Sequence, residues 1–126
     1  MHREILVHSR EKRPMEMLTL SKKANITEVR EPLIEGLFPD ADGDVSKRPL
    51  LFNKPTIFIS SRVHPGETPA SFVLDGIMKF LMTDCEQAQI LLTKFVFKIV
   101  PILNPDGVYR GYFRLDTLGQ NLNRYY

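Results

Sequence analysis

The sequence predicts an α/β fold, a mixed twisted sheet with flanking helices. Three observations predict it. Thr56-Ile57-Phe58-Ile59-Ser60 is a short run rich in β-branched and aromatic residues, as strands are. A helical pattern then starts at Pro69, with apolar residues at Phe72, Val73, Ile77, Phe80 and Leu81. Phe95 to Leu103 is almost wholly apolar apart from Lys98, which suits a strand buried on both faces. Strand, helix, strand in that order predicts two parallel strands joined by a right-handed crossover.

The remaining elements follow in chain order. Glu4 to Val7 and Met15 to Leu20 read as short strands, with polar Ser9-Arg10-Glu11-Lys12-Arg13-Pro14 as the turn between them. Residues 21–54 are polar and read as irregular, with Pro32, Pro39, Pro49 and several glycines. Asp40, Asp42 and Asp44 alternate as in a calcium loop, but Gly43 is misplaced for the sharp turn and no Glu closes it. A solvated loop is the reading that remains. Thr68 is placed as the N-cap of the helix and Pro69 as its first residue, with Gly76 completing one dry face. That helix should fade near Thr83-Asp84, and a second should cover Glu86 to Leu92.

Composition narrows the function classes. A chain of 126 residues, 43% hydrophobic and 25% charged, is one folded domain with a modest core, not a disordered segment. A net charge of +2 without a Lys/Arg stripe argues against a nucleic-acid partner. Cys85 is the single cysteine, which excludes an internal disulfide and favours a reducing compartment. No apolar run reaches the length of a membrane-spanning helix, and Met1-His2-Arg3-Glu4 opens no signal peptide, so no membrane partner is expected.

Two segments lie where the parallel strands end, the place where open α/β sheets gather their sites. His64-Pro65-Gly66-Glu67 follows the first strand and Asn104-Pro105-Asp106-Gly107 follows the second, so both should meet on one rim. Imidazole and carboxylate are ordinary zinc donors, and Pro65 with Gly66 can fold His64 and Glu67 together. The competing reading is a surface His beside a Glu that favours the helix dipole. Asn104 to Gly107 has turn chemistry at each position. In Asn121-Leu122-Asn123-Arg124, the arginine fork suits a carboxylate, although as an isolated pattern a surface loop is the better reading. Arg110 and Arg114 read as solvated side chains.

Together these pieces resemble the zinc carboxypeptidase family, and more closely its cytosolic carboxypeptidase branch. The resemblance is carried by Ser60-Ser61-Arg62-Val63-His64-Pro65-Gly66-Glu67-Thr68-Pro69, then Leu103-Asn104-Pro105-Asp106-Gly107-Val108, Arg114, and Asn121-Leu122-Asn123-Arg124. Arg3 to Ser9 and Met17 to Leu20 look like the opening hairpin of the same catalytic domain. Residues 1–126 would then be the N-terminal half of that domain, cut short at its C-terminus. The resemblance implies Zn2+ held by His64 and Glu67, Arg114 stabilising the oxyanion of the tetrahedral intermediate, and Asn123 with Arg124 gripping the substrate's terminal carboxylate. It also implies a cytoplasmic or nuclear enzyme that removes glutamates from the C-terminal tails of proteins, tubulin among them.

The chain departs from the family pattern in three places. The family's third ligand, a histidine downstream of the Asn-Arg pair, and its general-base glutamate have no counterpart here, so the chain alone is expected to be inactive. Asn121 stands where many relatives have Asp. An aspartoacylase-like amidohydrolase and a non-catalytic module that binds acidic tails remain the alternatives.

Overall fold

The computed structural model describes residues 1–41 and 43–125. Six strands and three α-helices follow in chain order: β1 (His2–His8), β2 (Pro14–Leu20), β3 (Ile26–Arg30), β4 (Leu50–Phe52), β5 (Thr56–Ser60), α1 (Pro69–Leu81), α2 (Glu86–Lys94), β6 (Val96–Val100) and α3 (Pro105–Tyr109). The main sheet runs β1-β2-β6-β5. β1, β2 and β6 pair antiparallel, and β5 pairs with β6 in parallel from Thr56 opposite Val96 to Ser60 opposite Val100. The mixed sheet and the parallel strand pair are as expected.

β6 is the centre of the fold, with Val96, Ile99 and Val100 fully buried, as its apolar sequence requires. It stops at Pro101, short of the predicted Leu103, because proline has no N–H to give the ladder. Leu18, Leu20, Phe97 and Ile99 face Leu74 and Leu81 of α1 to form the core. α1 begins at Pro69 as predicted, but Thr68 is itself helical and its side chain caps nothing.

The predicted dry face of α1 is wrong. Phe72 is 76% exposed and Val73 64%, and Ile77, Phe80 and Gly76 are exposed too. Of the predicted face only Leu81 is buried; Leu74 and Met78 join it in the core contact. The helix is apolar over more than one stripe, so spacing alone cannot tell which stripe meets this sheet.

Residues 21–54 are also more ordered than expected. β3 and β4 pair as a separate two-stranded sheet, with Ile26 opposite Phe52 and Arg30 opposite Leu50. Such short strands show no period of their own, and their pairing spans the long intervening loop. Of the three aspartates, Asp44 caps a short turn by accepting from Ser46 N and Oγ, at 3.0 and 2.6 Å. Asp42 lies outside the described residues.

The segment after β6 is not a simple turn. Asn104 caps α3, its side-chain oxygen accepting from Gly107 N at 2.9 Å. The β1–β2 turn is latched onto this helix. Asp106, 5% exposed, accepts from Ser9 Oγ at 2.6 Å, Arg13 Nη1 at 2.8 Å and Glu11 N at 3.1 Å. Arg13 also stacks over Tyr109 at 3.8 Å. Arg110 is not merely solvated: its Nε and Nη2 donate to Glu11 Oε1 at 2.7 and 2.5 Å. Burial pushes the Asp106 carboxyl up, but hydrogen bonds from Ser9 and Arg13 outweigh it and hold the group below the usual aspartate range. Hydrogen bonds from Arg110 and Arg13 likewise hold Glu11 down.

Candidate metal centre

The two strand-end segments meet on one rim, as expected. Leu103 N donates to Ser61 O at 2.9 Å, and Asn104 N to Arg62 O at 3.2 Å. Asn104 Nδ2 reaches Val63 O at 3.4 Å and Leu115 O at 3.3 Å. One buried amide therefore caps α3 and ties together the loops that carry His64 and Arg114. Pro65 packs on Gly107, where an added Cβ would sit 2.5 Å from Pro65 Cγ. Gly66 is equally confined: its N–H donates to Phe113 O at 2.7 Å, and a Cβ would lie 2.7 Å from that same oxygen.

Arg62 braces the loop from outside. It sits at φ +54°, a left-handed conformation uncommon for a non-glycine residue. Its Nε and Nη2 donate to Pro65 O at 3.0 and 2.6 Å, and its Nη1 to Ser71 Oγ at 2.9 Å. The bend after β5 is thus fastened to the first turn of α1. Nothing in the spacing of the sequence marks Arg62 for this role.

His64 is buried at 4% exposure, whereas the Glu67 side chain is 54% exposed. His64 Nδ1 lies 2.8 Å from Glu67 Oε1, and Nε2 lies 2.9 Å from Asn121 Oδ1. The Asn123 backbone N–H donates to the same Asn121 atom at 3.1 Å, which identifies it as the amide oxygen. His64 Nε2 must then carry the proton it donates, so in the neutral ring Nδ1 presents a lone pair to a carboxylate oxygen. The contact is favourable with a proton on Nδ1, which makes an imidazolium–carboxylate pair, or with a metal cation held by both atoms. The donor set fits zinc, with Asn121 fixing the tautomer as a carboxylate or carbonyl commonly does for a metal-binding histidine. Among the described residues no group of three His, Cys, Asp or Glu side chains converges, so this pair supplies two positions of a site that usually takes three protein ligands.

The other expected residues are brought near through the backbone. Arg114 follows Phe113, the partner of Gly66, and lines an open hollow of about 580 Å³ with Tyr112, Phe113 and Leu115. Asn123 and Arg124 lie in the short turn Leu122–Arg124, which Asn121 caps. Arg124 is exposed, and among the described residues its side chain donates only to the carbonyl of its neighbour Asn123, from Nη1 at 2.8 Å. The side chains of Arg114, Asn123 and Arg124 do not hydrogen-bond to His64 or Glu67 among the described residues.

The fold is of the open α/β class, with an imidazole and a carboxylate, two donors of the kind zinc takes, at the carboxyl ends of its parallel strands. The comparisons with known proteins narrow that class. The family described as zinc carboxypeptidase matches residues 1–125, and the chain belongs to that family. It is 50% identical over 127 aligned residues to cytosolic carboxypeptidase-like protein 5 of Bos taurus, covering 99% of this chain and 14% of that protein. It is 40% identical to cytosolic carboxypeptidase 6 of Mus musculus, covering 98% of this chain and 19% of that protein. A crystal structure of a metallo-carboxypeptidase from Burkholderia cenocepacia superposes with a TM-score of 0.69 at 30% identity, over 98% of this chain and 27% of that one. The chain thus spans a minor part of the length of the relatives it matches. Zinc is the metal of the family, in agreement with the donor set.

Proposed function

We propose that this chain supplies the rim of a zinc-dependent metallocarboxypeptidase site and forms the N-terminal part of its catalytic domain. One observation carries the reading: His64 is clamped between Glu67 and Asn121, its free nitrogen aimed at a carboxylate. His64 and Glu67 would hold the zinc, which when bound polarises the scissile carbonyl and activates water for attack. Arg114 places a guanidinium where negative charge develops on the carbonyl oxygen. Asn123 and Arg124 receive the terminal carboxylate, the amide giving one directed hydrogen bond and the fork a bidentate pair. Gripping the chain end restricts cleavage to the last residue.

Glutamate-rich protein tails, including those of tubulin, are the substrates we propose. The support is the two cations Arg114 and Arg124, carried by the segments that fasten to the His64 loop. The names of the relatives, cytosolic carboxypeptidases, support a cytoplasmic location; a nuclear one rests on the resemblance alone.

The test is a full-length protein that carries this sequence, assayed on peptides ending in several glutamates while zinc is measured by elemental analysis. Stoichiometric zinc and glutamate release should both disappear in His64→Ala. Arg124→Ala should keep its zinc and lose about a hundredfold or more in kcat/KM, and Arg124→Lys should recover only part of it. Unchanged kcat/KM in Arg124→Ala would remove that residue from the site.

A further inference from the structure

On the face of the main sheet away from α1, one row of side chains is polar where the core face is apolar. Thr19 stands between His2 and Lys98 in the strand register, while Leu18, Leu20, Phe97 and Ile99 point to the core. Glu4 lies two positions along β1 from His2, on the same face. β3, β4 and the loop between them cover this row and enclose a cavity of about 420 Å³, within the range of small-molecule sites. It shares no residue with the His64 centre.

Three groups in this cavity have no hydrogen-bond partner among the described residues. Thr19, 4% exposed, leaves Oγ1 unpaired, and Glu4 leaves Oε2 unpaired. The Lys98 side chain is 14% exposed, and its Nζ is 4.0 Å from Glu4 Oε2, beyond hydrogen-bond reach. That distance makes a loose ion pair with Glu4; the Glu31 carboxylate also acts on the ammonium, and the Phe52 ring lies 5.2 Å away. Burial pushes the Lys98 ammonium down from its ordinary range, outweighing the Glu4 and Glu31 carboxylates that act to raise it. Folded proteins rarely leave buried polar groups unmatched, and here two unmatched oxygens and an ammonium without a hydrogen bond line one space.

Their chemistry is complementary to one kind of molecule. Lys98 offers donors only, Glu4 Oε2 accepts only, and the Thr19 hydroxyl does either. A carboxylate beside an ammonium satisfies all three, and Leu50 and Phe52 provide apolar wall for a short side chain. Arg30 and Arg48 at the margin make the field positive. We propose that this cavity binds a free α-amino acid, its carboxylate on Lys98, its ammonium on Glu4 and Thr19 bridging them, with an acidic side chain preferred over a basic one.

Isothermal titration calorimetry of the full chain tests this, in EDTA to exclude the metal centre, with L-glutamate, L-lysine and propionate as probes. L-glutamate should bind with a Kd in the micromolar to low millimolar range, the scale open to a ligand of about ten heavy atoms. It should bind about tenfold or more tightly than L-lysine or propionate. Lys98→Met keeps the length of the side chain and removes a buried charge, so it should fold; Thr19→Val is nearly isosteric. Circular dichroism checks both. Each should weaken L-glutamate binding about tenfold or more, and His64→Ala should leave it unchanged. No L-glutamate binding to the folded chain would leave the cavity to water and overturn the proposal. Equal affinity for propionate would overturn the zwitterion, and undiminished binding in folded Lys98→Met would overturn the site.

Discussion

Arg110 and Arg114 stand four positions apart and look alike in the sequence, yet the fold uses them in opposite ways. Arg110 is held by Glu11 in a network where Asp106, Ser9 and Arg13 leave no charge unmatched. Arg114 lines an open hollow beside a loop that is itself tightly fixed. The first cluster is saturated and acts as scaffold. Arg114 is exposed and makes no side-chain hydrogen bond among the described residues, which leaves its cation available for the role proposed above. A rigid frame that leaves charged groups unmatched is the arrangement expected of a site, because a preorganised group needs no rearrangement when its ligand binds.

The largest expected effect falls on the saturated cluster. Asp106→Ala strips Arg13 and Ser9 of a buried partner and should cost about 3–5 kcal/mol, read from urea denaturation. The same network should be sensitive to acid. Asp106 has a folded pKa below its ordinary value of 3.8, so its stabilisation is fully present above that value. It is lost as the pH falls through the lowered value. Asp106→Asn should flatten this acid limb. An unchanged limb would mean that the latch carries no net charge stabilisation.

Arg114→Ala should behave in the opposite way. In a full-length protein that turns over substrate, kcat should fall about a hundredfold, with KM little changed and stability within about 0.5 kcal/mol. A rise in KM alone would make Arg114 a binding residue. A stability loss comparable to that of Asp106→Ala would erase the contrast between the clusters.

Gly66→Ala tests the fixed loop that joins the two regions. The added methyl meets Phe113 backbone and cannot be relieved by a side-chain rotation, so about 1–3 kcal/mol of destabilisation is expected. Zinc affinity should weaken with it, because Glu67 follows directly.

How much of this was legible follows from range. β5 and the start of α1 are local patterns, and Thr56–Ser60 and Pro69 were placed correctly. His64 and Glu67 were legible because a short loop brings them together. The β3–β4 pair was not, since neither strand is long enough to show a period and each is ordered by the other. The α1 face was misread because apolar residues occupy several stripes, and the sheet alone decides which is covered. The fate of Arg110 depended on Glu11, nearly a hundred positions away. Asn104 carried a readable signal, an Asn before Pro at a strand end, but its hold on Val63 and Leu115 is tertiary.

The smallest expected effect concerns Asn121, which joins His64 to the turn carrying Asn123 and Arg124. Its oxygen accepts from both His64 Nε2 and Asn123 N, so it sets the ring's tautomer and the turn's shape together. Asn121→Ala removes both bonds, and zinc affinity should fall about tenfold, the lower end of what losing such a support does. Asn121→Asp keeps both acceptor contacts and adds a negative charge behind the ring, making Nδ1 a stronger donor. Zinc affinity should then rise, by about tenfold or less. The two substitutions should also separate in kcat/KM: Asn121→Ala loosens the Arg124 turn and should lose more than its zinc affinity accounts for, whereas Asn121→Asp should not. Competition with a chromogenic zinc chelator measures the affinities. If both substitutions left zinc binding unchanged, the bond to His64 would be a feature of packing, and Nδ1 would owe its direction to Pro65 and Gly66 alone.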